Sequence, residues 1–85
     1  MENYKLLIKP SAVKEIETIP KKDRARITAN IQELAANPRP HGGEKLSGEE
    51  KYRLRQGSYR IIYSIDDSAR EVLIVRIGHR KDIYR

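Results

Sequence analysis

The sequence predicts an α+β fold. Two N-terminal helices, after a first strand, pack on one face of a small, mostly antiparallel twisted sheet. Three observations carry this. Apolar residues recur at helical spacing between Pro10 and Asn37. From Lys51 onward the period changes to two. The breaks in the second half are short, which favours an antiparallel meander for the last three strands.

Tyr4 to Lys9 reads as a strand, with Leu6 and Ile8 alternating against Lys5, Leu7 and Lys9. Pro10-Ser11 breaks it, and Ser11 is the candidate cap of a first helix. Ala12, Ile16 and Ile19 form its apolar stripe, and Pro20 ends it. Asp23 is the candidate cap of a second helix, whose stripe is Ile27, Ile31 and Leu34. Asn37-Pro38 stops that helix, and Pro38 to Gly43 is a loop by composition. Lys51 to Gln56 sets Tyr52 and Leu54 against Arg53 and Arg55, and Gly57-Ser58 turns the chain. Tyr59, Ile61, Tyr63 and Ile65 then share one strand face. After a turn at Asp66 to Ala69, Val72 to Ile77 is apolar enough to predict a central strand buried on both faces, ended by Gly78.

The chain has 85 residues, 38% apolar and 35% charged, so a single domain over 1–85 with a small core is expected. Cysteine is absent, which excludes a disulfide scaffold, thiolate zinc sites and cysteine nucleophiles. With only His41 and His79, a protein-ligated zinc centre is not expected, nor is any other metal or cofactor. No stretch reaches the ~20 apolar residues of a membrane span. A soluble, cytoplasmic protein with no membrane partner is the expectation. The net charge of +6 suits an anionic partner.

The placement of the charge says more than its sum. Lys51, Arg53, Arg55 and Arg60 fall in one stretch without an acid. Arg53 and Arg55 share a strand face, and Arg60 follows the turn on the adjoining strand, where it can approach either one. Facing like charges oppose folding, and a bound phosphate would offset them through the planar guanidinium fork. The plainer alternative is a solvated strand face. The tail adds His79, Arg80, Lys81, Tyr84 and Arg85. His79 is either a proton-transfer group or an ordinary hydrogen-bonding residue. Tyr84 is either functional or, with Ile83, packing for the tail. These residue types leave one metal-free chemistry open: RNA carries its own nucleophile, the 2′-hydroxyl beside the scissile phosphate. Arginines can neutralise the phosphate, but they keep their protons and make poor bases.

Lys9-Pro10-Ser11-Ala12, Asn37-Pro38-Arg39-Pro40 and Lys45-Leu46-Ser47-Gly48 carry a resemblance, strongest in Tyr52 to Tyr63 and in Gly78 to Tyr84. In this order and spacing the chain resembles the RelE/ParE superfamily of bacterial toxins, nearest the RelE branch of ribosome-dependent mRNA interferases. The resemblance implies a toxin of a type II toxin–antitoxin system. Such a toxin binds the ribosomal 30S A site, cuts mRNA there by 2′-hydroxyl attack, and is held inactive by a cognate antitoxin. By position it implies catalytic roles for Arg60, Arg80 and Tyr84, with His79 as a further candidate. Arg53 and Arg55 fall on the family's strand cations, and Lys51, Lys81 and Arg85 complete the expected RNA-binding set. Two rival readings remain: a ParE-like inhibitor of DNA gyrase, and a ribosome- or nucleic-acid-binding module without catalysis.

Overall fold

A computed structural model describes residues 3–46 and 51–83. The elements run β1 (Lys5–Ile8), α1 (Pro10–Glu17), α2 (Lys21–Ala36), β2 (Glu44–Lys45), β3 (Lys51–Gln56), β4 (Tyr59–Asp66) and β5 (Glu71–His79). They build one five-stranded sheet in the order β1-β5-β4-β3-β2. β1 runs parallel to β5, and the other pairs are antiparallel, so β3, β4 and β5 form the expected meander.

Both helix stripes land on one face of this sheet. Ala12 and Ile19, with Ile27, Ile31 and Leu34 of α2, close over Ile61, Tyr63, Val72, Ile74 and Ile77 as one core. Those strand residues share a face because β4 and β5 pair Ile61 with Ile77, Tyr63 with Ile74 and Ile65 with Val72. β3 adds Tyr52 and Leu54 to the same side.

Several local expectations are corrected. Ser11 does not cap α1: Lys9 holds the extended cap position and Pro10 opens the helix. Proline suits that place, since its φ is preset and the N–H it lacks would have been unpaired. Asp23 likewise lies inside the first turn of α2, where a carboxylate favours the helix dipole, and Pro20 precedes the helix. Pro38 to Gly43 is the expected loop, and an edge strand that was not anticipated, β2, follows it and pairs with β3. Gly78 does not end β5, which runs on to His79.

β5 is also not buried on both faces. Val72, Ile74 and Ile77 are buried under the helices, whereas Leu73 and Val75 on the other side are half-exposed. The spacing 72, 74, 77 breaks strict alternation because Val75 is an extra residue between the pairs Ile62–Arg76 and Tyr63–Ile74. This β-bulge returns Ile77 to the core face.

Tyr63 anchors the centre of the core. It is fully buried, and its hydroxyl donates to the Pro38 carbonyl at 2.9 Å. Burial pushes its phenol up to about 12, so it stays a neutral donor at physiological pH. Tyr63→Phe leaves that carbonyl without its partner and is expected to cost about 1–3 kcal/mol. Urea unfolding of the two proteins checks this.

Candidate nucleic-acid interface

The face opposite the helices is formed by the alternate residues of the same strands. β3 places Lys51, Arg53 and Arg55 opposite Ser64, Ile62 and Arg60 of β4. Arg55 and Arg60 therefore face each other across the ladder, as the turn at Gly57-Ser58 requires. Gly57 adopts φ +58°, a conformation glycine reaches without a steric penalty. Beyond Arg60 the register places Gly78 of β5, which adds no side chain to that face. Arg60 Nη1 donates to the carbonyls of Gly57 (3.0 Å) and Tyr59 (2.9 Å), so the turn backbone orients its guanidinium. Among the described residues neither Arg55 nor Arg60 is ion-paired.

Arg53 differs. Glu44 of β2 lies opposite it and accepts a short ion-pair hydrogen bond from its Nη2 at 2.5 Å. That bond, then the charges of Arg53 and Arg55, holds the Glu44 carboxyl below its ordinary range. The absence of acids between Lys51 and Arg60 thus overstated the bareness of this strand, since a carboxylate distant in sequence is delivered by β2.

The tail candidates divide. The Arg80 N–H donates to the Ser58 carbonyl at 2.8 Å, extending the β5 pairing past its last residue, and its side chain is exposed. Lys81 is also exposed. His79 pairs with Tyr59, on the helix-bearing face and not on that of Arg60, and meets its ring edge-on at 5.8 Å. Its Nδ1 accepts the Lys81 N–H at 3.1 Å, so the neutral imidazole carries its proton on Nε2. Ile83 is buried and pins the turn, as expected. Tyr84 and Arg85 lie outside the described residues, as do Ser47, Gly48, Glu49 and Glu50. The structure therefore brings Lys51, Arg53, Arg55 and Arg60 to one face, sets Arg80 at its end, and leaves His79 behind it.

At the other end of the sheet, sequence reasoning missed a polar cluster. Asp67 accepts both Nη groups of Arg39, at 3.2 and 2.9 Å, and the Tyr4 hydroxyl at 2.7 Å. Arg39 also donates to the Tyr52 hydroxyl and lies 5.5 Å above the Tyr52 ring, which stacks on Tyr63. These contacts fasten the 37–43 loop to the β4–β5 turn. No local signal marks them, because the partners are 28 or more residues from Asp67. The bonds from Arg39 and then Tyr4 hold the Asp67 carboxyl at about 2. A carboxyl depressed in the folded state stabilises above its unfolded pKa, and that contribution fades as pH falls from about 4 towards 2. Asp67→Asn should lower the urea midpoint at pH 6 and change it little at pH 2. Midpoints at the two pH values check this.

A five-stranded sheet with helices on one face and grouped arginines on the other defines a small basic α+β protein. Residues 6–84 match the family described as the ParE toxin of the type II toxin–antitoxin system parDE. Toxin RelE of Mycobacterium tuberculosis (strain ATCC 25618 / H37Rv) is 32% identical over 88 residues, covering 96% of this chain and 87% of that protein. Toxin RelG of the same strain is 50% identical over 34 residues, 40% of this chain and 39% of that one. Among solved structures, the M. tuberculosis toxin–antitoxin complex RelBE2 holds a chain that superposes with a TM-score of 0.82 at 27% identity. The match covers 92% of this chain and 99% of that one. The chain belongs to the RelE/ParE superfamily of type II toxin–antitoxin toxins.

Proposed function

We propose that this toxin is a ribosome-dependent endoribonuclease that cleaves mRNA in the 30S A site and so inhibits translation. The observation that carries this reading is the facing pair Arg55 and Arg60 on the open sheet face, without ion-pair partners among the described residues. Like charges held opposite one another oppose folding, and a bridging phosphodiester would offset that. The 2′-oxygen attacks phosphorus, the P–O5′ bond breaks, and the products are a 2′,3′-cyclic phosphate and a 5′-hydroxyl. Arg60 and Arg80 neutralise the charge that builds on the phosphate. Lys51, Arg53, Arg55, Lys81 and Arg85 hold the backbone of the message. Tyr84 takes the 2′-hydroxyl proton. His79 is less suited to that step, with Nδ1 engaged by Lys81 and its ring on the helix-bearing face. The leaving 5′-oxygen takes its proton from water. No metal or cofactor enters these steps, and the ribosome supplies part of the alignment.

A cognate antitoxin completes the proposal. In the row of Ser64 and Lys51 the open face carries partly buried Leu7 and Leu73, paired across β1 and β5 and separate from the core. A surface that is apolar on one side and cationic on the other suits an acidic amphipathic segment.

The test is primer extension on a reporter mRNA in a translating extract, with wild-type protein, Arg80→Ala, and mRNA without ribosomes. Cuts inside codons that need both ribosomes and Arg80 support the proposal. Intact mRNA with lost protein synthesis indicates a non-cutting ribosome binder. The match to a ParE model keeps gyrase inhibition as the second reading. Intact mRNA with normal translation, and inhibition in a supercoiling assay, would establish it.

A further inference from the structure

We infer that Arg76, braced by Glu15, is a positioning residue for RNA cleavage, holding the C-terminal turn that carries Arg80 and leads into Tyr84. This inference rests on the ribonuclease reading above. The geometry starts at the edge of β5. β1 pairs with β5 only from Glu71 to Ile74, so the edge beyond is open to another partner. Glu15 of α1 supplies one, its Oε1 accepting the Ile77 N–H at 3.0 Å. Its Oε2 lies 3.5 Å from Arg76 Nη2, and Arg76 Nη1 donates to the Ile83 carbonyl at 3.2 Å. One guanidinium fork thus spans a helix carboxylate and the carbonyl that immediately precedes Tyr84 in the chain.

Among the described residues the turn has few other supports. Asp82 and Ile83 N–H donate to the His79 carbonyl, and Lys81 N–H donates to His79 Nδ1, all within the turn itself. Arg80 N–H reaches Ser58, and the Ile83 side chain is buried. Between the turn and α1 lies a cleft of about 280 Å³ lined by Glu15, Thr18, Ile19, Tyr59, His79 and Asp82, so packing is incomplete there. Of these contacts, only the fork of Arg76 ties the end of the turn to α1. Two carboxylate oxygens fixed at two points of β5 also explain why an acid stands on the inner flank of α1.

Three variants separate the parts. Arg76→Met keeps the aliphatic stem and removes both bonds. Arg76→Lys keeps the charge without a fork that spans both acceptors. Glu15→Gln keeps the acceptor for Ile77 N–H and removes the charge opposite Arg76. Two readouts are taken: kcat and KM of ribosome-dependent cleavage, and amide hydrogen exchange at Asp82 and Ile83. Arg76→Met is expected to lower kcat about tenfold with KM changed less than about twofold, because misplaced groups lose transition-state contacts. Exchange at the two amides should rise about tenfold while core amides are unaffected. Arg76→Lys should recover part of both effects, and Glu15→Gln should fall between. Unchanged exchange in Arg76→Met overturns the bracing. Faster exchange with wild-type kcat overturns the positioning role. A wild-type protein that never cuts mRNA overturns the ribonuclease reading, and the positioning role falls with it, whereas either preceding result in an active enzyme overturns this inference alone.

Discussion

Replacing Arg60 with alanine lowers ribosome-dependent cleavage by about 10²–10³-fold while the protein stays folded, the loss typical of removing one preorganised donor from a developing oxyanion. The two halves of this expectation have separate physical sources. Arg60 is aimed by backbone carbonyls of its own turn, Gly57 and Tyr59, so its geometry is set before any RNA arrives. A preorganised cation contributes most in the transition state, where negative charge accumulates on the phosphate. Folding, in contrast, gains little from this side chain. It is partly exposed, it has no carboxylate partner among the described residues, and it stands opposite Arg55. Removing it relieves a like-charge contact as two hydrogen bonds to carbonyls are lost, and the net change in stability should be within about 1 kcal/mol. Cleavage rates from primer extension, with urea unfolding of the same samples, check both halves. Full cleavage by Arg60→Ala would remove Arg60 from the chemistry. A large loss of stability would show that its role is structural.

Much of this fold was legible in the sequence because its periods are clean. Ile27, Ile31 and Leu34 are buried as their spacing requires, and Tyr59 to Ile65 present the predicted face. The basic face was legible for the same reason, since alternation along Lys51 to Gln56 and the turn at Gly57 fix which cations stand together. What was hidden depends on contacts between residues far apart in the chain. Nothing near Glu44 says that it pairs with Arg53, because β2 is only two residues long and takes its register from β3. Glu15 reads as an ordinary helix surface acid until β5 is seen to leave an edge beside it. His79 was grouped with the arginines because it precedes Arg80, yet strand alternation sends neighbours to opposite faces. The bulge at Val75 was hidden too, since an unbroken apolar run gives no sign of which residue is unpaired.

That bulge is the basis of the second large effect. Inserting one alanine after Val75 is expected to destabilise the protein by about 3 kcal/mol or more and to abolish cleavage, whereas Val75→Ala changes stability by less than about 1 kcal/mol. The side chain at 75 is partly exposed on the open face, so trimming it forfeits little. The strand carries one extra backbone unit, and its register has no place for a second. With Val75 alone unpaired, Ile74 and Ile77 both reach the core face, and Tyr59 meets His79. With a second extra residue, β5 beyond Val75 slips by one residue against β4, and every later side chain changes face. Ile77 would leave the core, and Arg76 would be driven under the helices, where an unpaired charge is costly. The Arg80 N–H would then no longer line up with the Ser58 carbonyl, and the tail would lose its alignment with Arg60. The alternative is to move the slip to the other side, where it would unseat Val72 and Ile74 and break the pairing of β5 with β1. Urea midpoints and primer extension on the insertion, beside Val75→Ala, measure the two consequences. A stable, active insertion would mean that the strand end tolerates either register, and that the placement of Arg80 relative to Arg60 does not govern the chemistry.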